Sequence, residues 1–321
     1  MTPLDMGLVL EARNALEGRI RRTPTEVSAA LSEAAKVPVF LKLESLQLTG
    51  SFKIRGAFFV LLKLSDEERL RGIVTCSAGN HGKAVAFVAR ELGVAAEIHV
   101  PRNVDESKYQ GMLALGANVA RSGFDGFDET EQVAKAEAAR TGRRFITAFD
   151  DNLILAANGG TLAAETIEDC LPARTFLLPV GGAGLAGGFA FYAKTALPDC
   201  RIIGCQHELS PALALSLERG EAVLKLPPVA TTAGGLEGGI GKTGFDVLEE
   251  RIDGVALVTE EEIFDAVRFM LDKHQYLIEP SSAVTVAAIL TGKAGRLNSP
   301  VAAVISGRNV ALSTIRRILA A

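Results

Sequence analysis

A lysine at position 53 lies between a glycine-containing turn and an apolar run with helical spacing. Gly50 and Ser51 predict a turn and a helix cap, and the apolar residues of the run 54–61 recur with the period of a helix. Lys53 would then lie in the first turn of that helix, where the helix dipole disfavours a cation. A partly buried lysine at such a position loses affinity for its proton, as an imine-forming amine requires. An ordinary surface lysine is the alternative interpretation of this stretch alone.

The segment 76–82, Cys-Ser-Ala-Gly-Asn-His-Gly, follows a predicted strand and opens a predicted helix. Its small residues let the backbone approach a ligand closely, and the amides of a first helical turn are free to bind an anion. Ser77, Asn80 and His81 add side-chain donors beside these amides. The pattern suits a carboxylate, and a tight strand-to-helix turn with a Ser or Asn cap is the alternative.

A second loop of this kind spans residues 179–188, Pro-Val-Gly-Gly-Ala-Gly-Leu-Ala-Gly-Gly. Consecutive glycines ahead of a helix form a concave group of amides that binds phosphate. The loop also contains G-x-G-x-x-G from Gly182 to Gly187, so dinucleotide binding is an alternative. Dinucleotide binding expects an acidic residue at the end of the next strand, where Gln206 stands and Glu208 follows two residues later. We therefore favour phosphate binding without a dinucleotide.

Two segments nearer the carboxyl end place polar residues at element boundaries. Ser306 follows the predicted strand 300–305 and begins Ser-Gly-Arg-Asn. Its hydroxyl could bond a ring nitrogen without protonating it, or it could cap a helix. Glu279 precedes Pro280, and this pair fits either a buried acid or the start of a helix.

The elements that must position these residues alternate between strand-length and helix-length patterns. Apolar runs of strand length span residues 37–43, 72–76, 95–100, 117–121, 145–148, 175–180, 201–205, 255–258 and 300–305. Helical patterns between them span residues 81–92, 126–140, 152–170, 184–196 and 260–274. This alternation predicts an α/β protein with parallel sheets flanked by helices. A composition shift near residue 148 indicates a return from a small lobe, residues 71–146, to a large lobe, residues 1–70 and 147–321.

Composition limits the classes of function. A length of 321 residues favours two lobes over one core, and 48% hydrophobic residues fit a packed globular protein. A net charge of −4 without a long basic run argues against nucleic acid or an anionic membrane as partner. We see no transmembrane stretch and no leader pattern, so we expect a cytoplasmic protein. The cysteines and the isolated histidines lack metal-ligand spacing, so we predict no metal.

The order of these motifs resembles the fold-type II pyridoxal-phosphate enzymes, and within them the threonine/serine dehydratase and serine racemase group. The similarity extends from Arg22-Thr23-Pro24 to Asn309, and the run 43–57 resembles the group's cofactor-lysine signature. The resemblance implies a two-lobed architecture like that of the tryptophan synthase β subunit. Each lobe would hold a mostly parallel sheet between helices. It also implies a homodimer.

The resemblance further implies roles for individual residues. Lys53 would hold pyridoxal 5'-phosphate as an imine and then act as the base on the substrate α carbon. Phe52 would pack beside the cofactor ring, Asn80 would bond its phenolic oxygen, and Ser306 would meet its pyridine nitrogen. The cofactor phosphate would lie on the amides of Gly181, Gly182, Ala183, Gly184 and Leu185, where the family more often has glycine at the third position. The substrate carboxylate would lie at the loop of Ser77, Ala78, Gly79, Asn80 and His81.

The implied reaction is β-elimination of water from a β-hydroxy amino acid, threonine or serine first, to give a 2-oxo acid and ammonia. Racemases of the group carry a serine at the position of Ala78, so a dehydratase is favoured over a racemase. Their divalent-cation site uses a Glu and an Asp where this chain has Gln206 and Ala212, so we expect no such site. Arg308 replaces a glycine of the usual Ser-Gly-Gly-Asn, and the glycine-rich loop 234–241 also departs from the pattern.

These departures leave the substrate open. They are reminiscent of hydroxyectoine-utilisation dehydratases, a branch that acts on other β-hydroxy amino acids. Racemisation or β-replacement on the same scaffold is a further enzymatic alternative. A nucleotide-binding oxidoreductase, or a ligand-binding protein without catalysis, is the alternative from a different class.

Overall fold

A computed structural model describes residues 2–170 and 173–321 of the chain. Within these residues the strands form a six-stranded sheet in the order β1-β2-β10-β7-β8-β9 and a four-stranded sheet in the order β5-β4-β3-β6. The strands are β1 Thr25–Val27, β2 Val39–Leu43, β3 Ile73–Cys76, β4 Ala96–Val100, β5 Asn118–Arg121, β6 Arg144–Ile146, β7 Thr175–Pro179, β8 Arg201–His207, β9 Gly254–Val258 and β10 Val301–Ile305.

Helices cover both sheets. They are α1 Met6–Leu16, α2 Ala29–Ala35, α3 Lys53–Leu62, α4 Asp66–Arg71, α5 Asn80–Leu92, α6 Glu106–Ala114, α7 Phe127–Thr141, α8 Asn152–Leu155, α9 Thr161–Asp169, α10 Gly184–Ala196, α11 Ala212–Arg219, α12 Lys242–Leu248, α13 Glu260–His274, α14 Pro280–Leu290 and α15 Leu312–Ala320. A 3₁₀ turn at Glu44–Leu46 and a π-helical segment at Ala156–Gly160 complete the regular structure of the described residues.

The α/β prediction is confirmed, since the strands pair in parallel except where β1 joins β2. The central strands β3, β7 and β10 are buried along their whole length, as expected for parallel strands covered on both faces. The sequence patterns missed β1, because a three-residue antiparallel edge strand is too short to show a period.

The two sheets draw on different parts of the chain. All strands of the four-stranded sheet lie between Ile73 and Ile146, and the six-stranded sheet uses strands from both sides of that interval. This distribution is consistent with a small domain of residues 71–146 and a large domain of residues 1–70 and 147–321. The domain boundaries themselves remain a prediction.

Several elements differ from their predicted form, and strand β6 ends at Ile146 instead of residue 148. The predicted helix 152–170 is interrupted by the π-helical segment, where Asn158 accepts a hydrogen bond from the Gly56 amide at 2.7 Å. A Cβ on Gly159 would lie 2.1 Å from Leu185 O, so this segment packs closely against α10. Strand β8 also continues to His207 instead of ending at residue 205. In the described part of the chain, no helix is long and apolar enough to cross a membrane.

Candidate active site

The loops that follow β2, β3, β7 and β10 meet at a cavity of about 1280 Å³. Ligand sites of parallel sheets lie outside the carboxyl ends of the strands, which is where these loops stand. The structure brings to this cavity every residue that the sequence nominated: Phe52, Lys53, Ser77, Ala78, Gly79, Asn80, His81, Gly181, Gly182, Ala183, Gly184, Leu185 and Ser306.

Lys53 is the first residue of α3, and its amine faces the cavity. The amine donates a hydrogen bond to Ala148 O at 2.7 Å and lies 5.2 Å from the centre of the Phe52 ring. Burial lowers the pKa of Lys53 to about 8, while the carboxylate of Glu279 acts in the opposite direction. The direction agrees with the sequence prediction, and it makes the amine a better nucleophile near neutral pH than an ordinary lysine.

The start of α3 is fixed by buried contacts that the sequence did not indicate. Arg55 is fully buried and donates to both carboxylate oxygens of Glu44, at 2.8 Å each, and to Glu165 at 2.7 and 2.8 Å. Burial acts to raise the pKa of Glu44, but the charge and hydrogen bonds of Arg55 outweigh it, so the pKa lies below its ordinary value. These contacts hold the helix that presents Lys53.

The predicted helix cap at Ser51 is wrong. Helix α3 begins one residue later than a Ser51 cap requires, with Phe52 at the N-cap position and no side-chain cap bond. Ser51 instead forms an isolated bridge with Gly307, and its buried hydroxyl has no hydrogen-bond partner among the described residues. The long-range pairing with the segment after β10 decides this geometry, which local propensity could not indicate.

The loop after β3 leads directly into α5, which begins at Asn80. The amides of a first helical turn have no acceptor within the helix, so they can bind an anion. The hydroxyl of Ser77 accepts the Gly79 amide at 3.2 Å and thereby shapes the turn. The ring of His81 is buried, and its Nε2 lies 3.0 Å from Thr75 Oγ1. Burial lowers the pKa of His81 to about 3, so a ligand at this loop would meet its amide and not a charged ring.

The side chain of Asn80 belongs to a network of polar groups. Its Nδ2 donates to Glu279 at 2.6 Å, and its Oδ1 accepts from Asn309 Nδ2 at 2.6 Å. The second oxygen of Glu279 accepts the Asn309 amide at 3.0 Å. Burial raises the pKa of Glu279 to about 7, and the hydrogen bond from Asn80 opposes that rise. The sequence allowed either a buried acid or the start of a helix at this position. Glu279 is both, since it is buried and directly precedes α14.

The glycine loop joins β7 to α10, which begins at Gly184. A Cβ on Gly181 would lie 2.4 Å from Gly235 O, and one on Gly182 would lie 2.3 Å from the Phe149 ring. Both neighbours are so close that only glycine fits, and the first amides of α10 lie at the cavity. Ala183 adopts φ +67°, a left-handed conformation that glycine accepts more readily. This conformation is the physical reason why glycine suits that position.

The loop 234–241 covers the glycine loop. Gly235 packs against Gly181, and its amide donates to Ser281 Oγ at 2.9 Å. The Gly241 amide donates to Gly182 O at 3.3 Å. Ser306 follows β10, and its hydroxyl donates to Ser282 Oγ at 3.3 Å. Ser306 does not cap a helix, because the next helix begins at Leu312.

Gln206 occupies the position at which the resemblance led us to look for a cation ligand. It is fully buried, and its Nε2 donates to Val180 O at 3.1 Å. Its Oε1 accepts the amides of Leu213 and Ala214 at 2.9 and 3.3 Å. The side chain thus joins the residue before the glycine loop to the start of α11. Across residues 2–170 and 173–321, no group of three or more His, Cys, Asp and Glu side chains is arranged to hold a metal ion.

Sequence reasoning missed several residues that line the cavity. Phe149 packs against Gly182, but a phenylalanine just after a strand carries no pattern. Lys83 lies in the first turn of α5, where the dipole argument applied to Lys53 would have singled it out. Lys108 comes from α6 and gave no sequence signal.

A weakly basic lysine amine and a cradle of free amides at the ends of two parallel-rich sheets define a site for a phosphorylated, carbonyl-bearing cofactor. Residues 16–307 match the family described as pyridoxal-phosphate dependent enzyme. The chain is 38% identical over 314 residues to an L-threonine ammonia-lyase of Thermotoga maritima, covering 97% of this chain and 77% of that protein. It is 33% identical over 323 residues to the catabolic L-threonine dehydratase TdcB of Escherichia coli K12, covering 98% and 96%.

Among solved structures, maize serine racemase superposes with a TM-score of 0.91 at 29% identity, and the match covers 99% of both chains. The protein belongs to the pyridoxal-phosphate-dependent enzyme family. Its cofactor is pyridoxal 5'-phosphate. The residues present fit this cofactor, since Lys53 offers an amine of lowered pKa and the first amides of α10 lie at the cavity, behind a loop in which Gly181 and Gly182 have no room for a side chain.

The lowered pKa of Lys53 gives a test by pH. The rate at which cofactor-free protein attaches pyridoxal phosphate covalently is expected to rise with pH and to level off above a midpoint of about 8. Only the neutral amine attacks a carbonyl, and its fraction grows as pH rises through the pKa. Borohydride trapping followed by mass spectrometry measures the rate. A rate that keeps rising to about pH 10.4, the range of an ordinary lysine, would contradict the burial argument.

Proposed function

We propose that the protein is an ammonia-lyase that removes water and then ammonia from a β-hydroxy amino acid. The convergence of the Lys53 amine with two anion-binding loops carries this proposal, because one site then holds a base, a phosphate cradle and a carboxylate cradle. The L-threonine ammonia-lyase and dehydratase names of its relatives support the same reaction. The net change is balanced: the α proton and the β hydroxyl leave as water, one water is taken up, and ammonia and a 2-oxo acid are released.

Each loop has a separate task in this proposal. The glycine loop holds the cofactor phosphate through its amides, and the amides at the start of α5 hold the substrate carboxylate. Lys53 binds the cofactor and moves a proton to or from the α carbon. The bound cofactor supplies an electron sink that makes this proton acidic.

The remaining side chains set orientation. Asn80, whose side-chain amide is held by Glu279 and Asn309, would bind the cofactor's phenolic oxygen. Ser306 would offer its hydroxyl to the pyridine nitrogen without protonating it, and Phe52 would pack beside the ring. An unprotonated ring nitrogen would stabilise charge at the α carbon only weakly, which would favour prompt loss of a β-leaving group.

Serine racemisation is the second candidate, because the fold is so close to that of maize serine racemase. Racemisation needs an acid on the face of the α carbon opposite Lys53. Racemases of the group carry a serine at the position of Ala78, and Ala78, which lines the cavity in the loop after β3, has only a methyl group. This residue therefore supports elimination over racemisation.

The outcome of the reaction tests this choice. The holoenzyme is expected to release a 2-oxo acid from L-threonine or L-serine and to form D-serine at least about tenfold more slowly. Ala78→Ser should raise D-serine formation about tenfold, because it restores a hydroxyl on the opposite face, whereas the control Ala78→Gly should not. Chiral chromatography and a 2-oxo acid assay measure both products. Wild-type D-serine formation faster than pyruvate formation would overturn the choice.

A homodimer and a cytoplasmic location complete the proposal. A nicotinamide enzyme is not favoured. Dinucleotide binding expects an acidic residue at the end of β8. Gln206 stands near that end instead, and its side-chain amide is bonded to Val180 O and to the Leu213 amide. Threonine, serine and other β-hydroxy amino acids all remain candidate substrates of this scaffold.

A further inference from the structure

One corner of the cavity carries three basic side chains. Lys83 of α5, Lys108 of α6 and Arg308 after β10 all line it. Lys83 donates to Asn309 Oδ1 at 2.7 Å. Among the residues that the structure describes, neither the Lys108 amine nor the Arg308 guanidinium has a hydrogen bond or an ion pair. Lys108 and Arg308 are exposed to water, and Lys83 is half-buried. Three cations from three separate elements therefore line one space, and none of them has an ion pair with a carboxylate among the described residues.

The charges of this corner act on one another. Burial lowers the pKa of Lys83, and the neighbouring Arg308 lowers it further, while Glu279 opposes both. Glu279 is the acid that Lys83 and Lys108 face, and it is already engaged by Asn80 and by the Asn309 amide. Lys83 also lies in the first turn of α5, where the helix dipole disfavours a cation. An anion bound in this corner would offset the repulsion between Lys83 and Arg308 and the unfavourable position of Lys83 in the helix dipole.

None of the other acids that line the cavity forms an ion pair with Lys83, Lys108 or Arg308 in the part of the chain that the structure describes. Asp105 accepts the backbone amide of Lys108, and Asp125 pairs with Arg102 at 2.7 Å. Asp128 lies 3.7 Å from Lys225. Glu237 accepts the Val229 amide at 3.0 Å, and Glu129 lies in the first turn of α7. The phosphate cradle at the glycine loop is formed between β7 and α10, and neither element carries one of the three cations. Among the described residues, Lys83, Lys108 and Arg308 therefore lack a direct ion pair, although acids line the same cavity.

The backbone at Arg308 is fixed although its side chain is free. Its amide donates to Gly50 O at 2.9 Å, and the following amide of Asn309 is held by Glu279. A planar guanidinium on a fixed backbone suits a carboxylate, which it can bind through two parallel hydrogen bonds. The cavity of about 1280 Å³ exceeds the usual range of small-molecule sites, so it has room for a substrate longer than threonine beside the cofactor.

We propose that Arg308, with Lys83 and Lys108, binds a second carboxylate of the substrate, so that the preferred substrate is a β-hydroxy amino acid with an acidic group at or beyond its β carbon. This inference rests on the proposed function and names the substrate class of the same site. With 3-hydroxyaspartate as the probe, loss of the α proton and the hydroxyl as water, then uptake of one water, gives oxaloacetate and ammonia.

Binding of amino acids that cannot lose a hydroxyl tests the subsite without turnover. L-Aspartate is expected to change the absorbance of the holoenzyme at a concentration about tenfold or more below that needed for L-alanine, since the two differ by one carboxylate. Arg308→Gln should remove this preference and Arg308→Lys should keep part of it. The control Arg296→Gln, an exposed arginine that does not line the cavity, should leave it unchanged.

Turnover gives the second measurement. Arg308→Gln should raise KM for 3-hydroxyaspartate about tenfold or more while leaving kcat/KM for L-threonine within about twofold. Equal affinity of the wild type for aspartate and alanine would overturn the subsite. An Arg308→Gln variant that loses kcat/KM equally for 3-hydroxyaspartate and L-threonine would overturn it as well. Weaker cofactor binding in the variant would instead assign Arg308 to the phosphate. If L-threonine is deaminated without any preference for the diacid, the proposed function stands and only this inference fails.

Discussion

Lys53→Ala is expected to lower kcat at least about 10³-fold and to abolish the absorbance of covalently bound cofactor. The amine is the nucleophile that attaches the cofactor and the base at the α carbon, so one substitution removes both tasks. The fold should persist, because the variant removes a desolvated amine and a single hydrogen bond to Ala148 O. Steady-state kinetics, the visible spectrum and thermal unfolding measure the three effects.

Lys63→Ala is the matched control for this experiment. Lys63 caps the other end of α3 and pairs with Glu11 on the surface. Its loss should leave kcat and the spectrum unchanged and should cost at most about 1 kcal/mol of stability. Full turnover by Lys53→Ala, or loss of activity in both variants, would show that the catalytic amine lies elsewhere.

Arg55→Met is expected to lower the free energy of unfolding by about 4 kcal/mol. Methionine fills much of the volume but leaves Glu44, whose side chain is fully buried, without its cation. Glu165 keeps a contact with Lys42 at 3.3 Å, so Glu44 carries most of the loss. Because α3 presents Lys53, cofactor affinity should fall together with stability. Denaturant unfolding and cofactor titration measure the two effects.

The pH dependence of this loss has a definite sign. In the wild type the pKa of Glu44 is lowered, so its contribution to stability is present above the unfolded value and is lost as pH falls through the folded value. In Arg55→Met the buried carboxyl gains stability by taking up a proton. The difference between the two proteins should therefore shrink as the pH is lowered. A difference that grows on acidification would contradict the assignment of the loss to Glu44.

Arg13→Met provides the contrast between buried and exposed pairs. Arg13 makes two hydrogen bonds to Glu168, at 2.5 and 2.9 Å, with side chains 37% and 41% exposed. Water screens this pair, so its loss should cost at most about 1 kcal/mol. Equal losses for Arg13→Met and Arg55→Met would mean that burial does not decide the strength of these contacts.

Local patterns determined much of this protein. The alternation of strand and helix patterns predicted the parallel sheets. Each nominated loop does follow a strand, namely β2, β3, β7 or β10. These features depend on residues within a few positions of one another, such as the glycines ahead of α10. The nominated residues share one cavity because the carboxyl ends of parallel strands lie at the same edge of a sheet.

Only the tertiary structure decided which side chains contact each other. Asn80 meets Glu279 across 199 positions of sequence, and Arg55 meets Glu165 across 110. Long-range pairing with Gly307 likewise took the helix cap from Ser51. No local pattern encodes such pairs, because their partners are chosen by the way the elements pack. Burial set by that packing, more than position in the helix, lowers the pKa of Lys53.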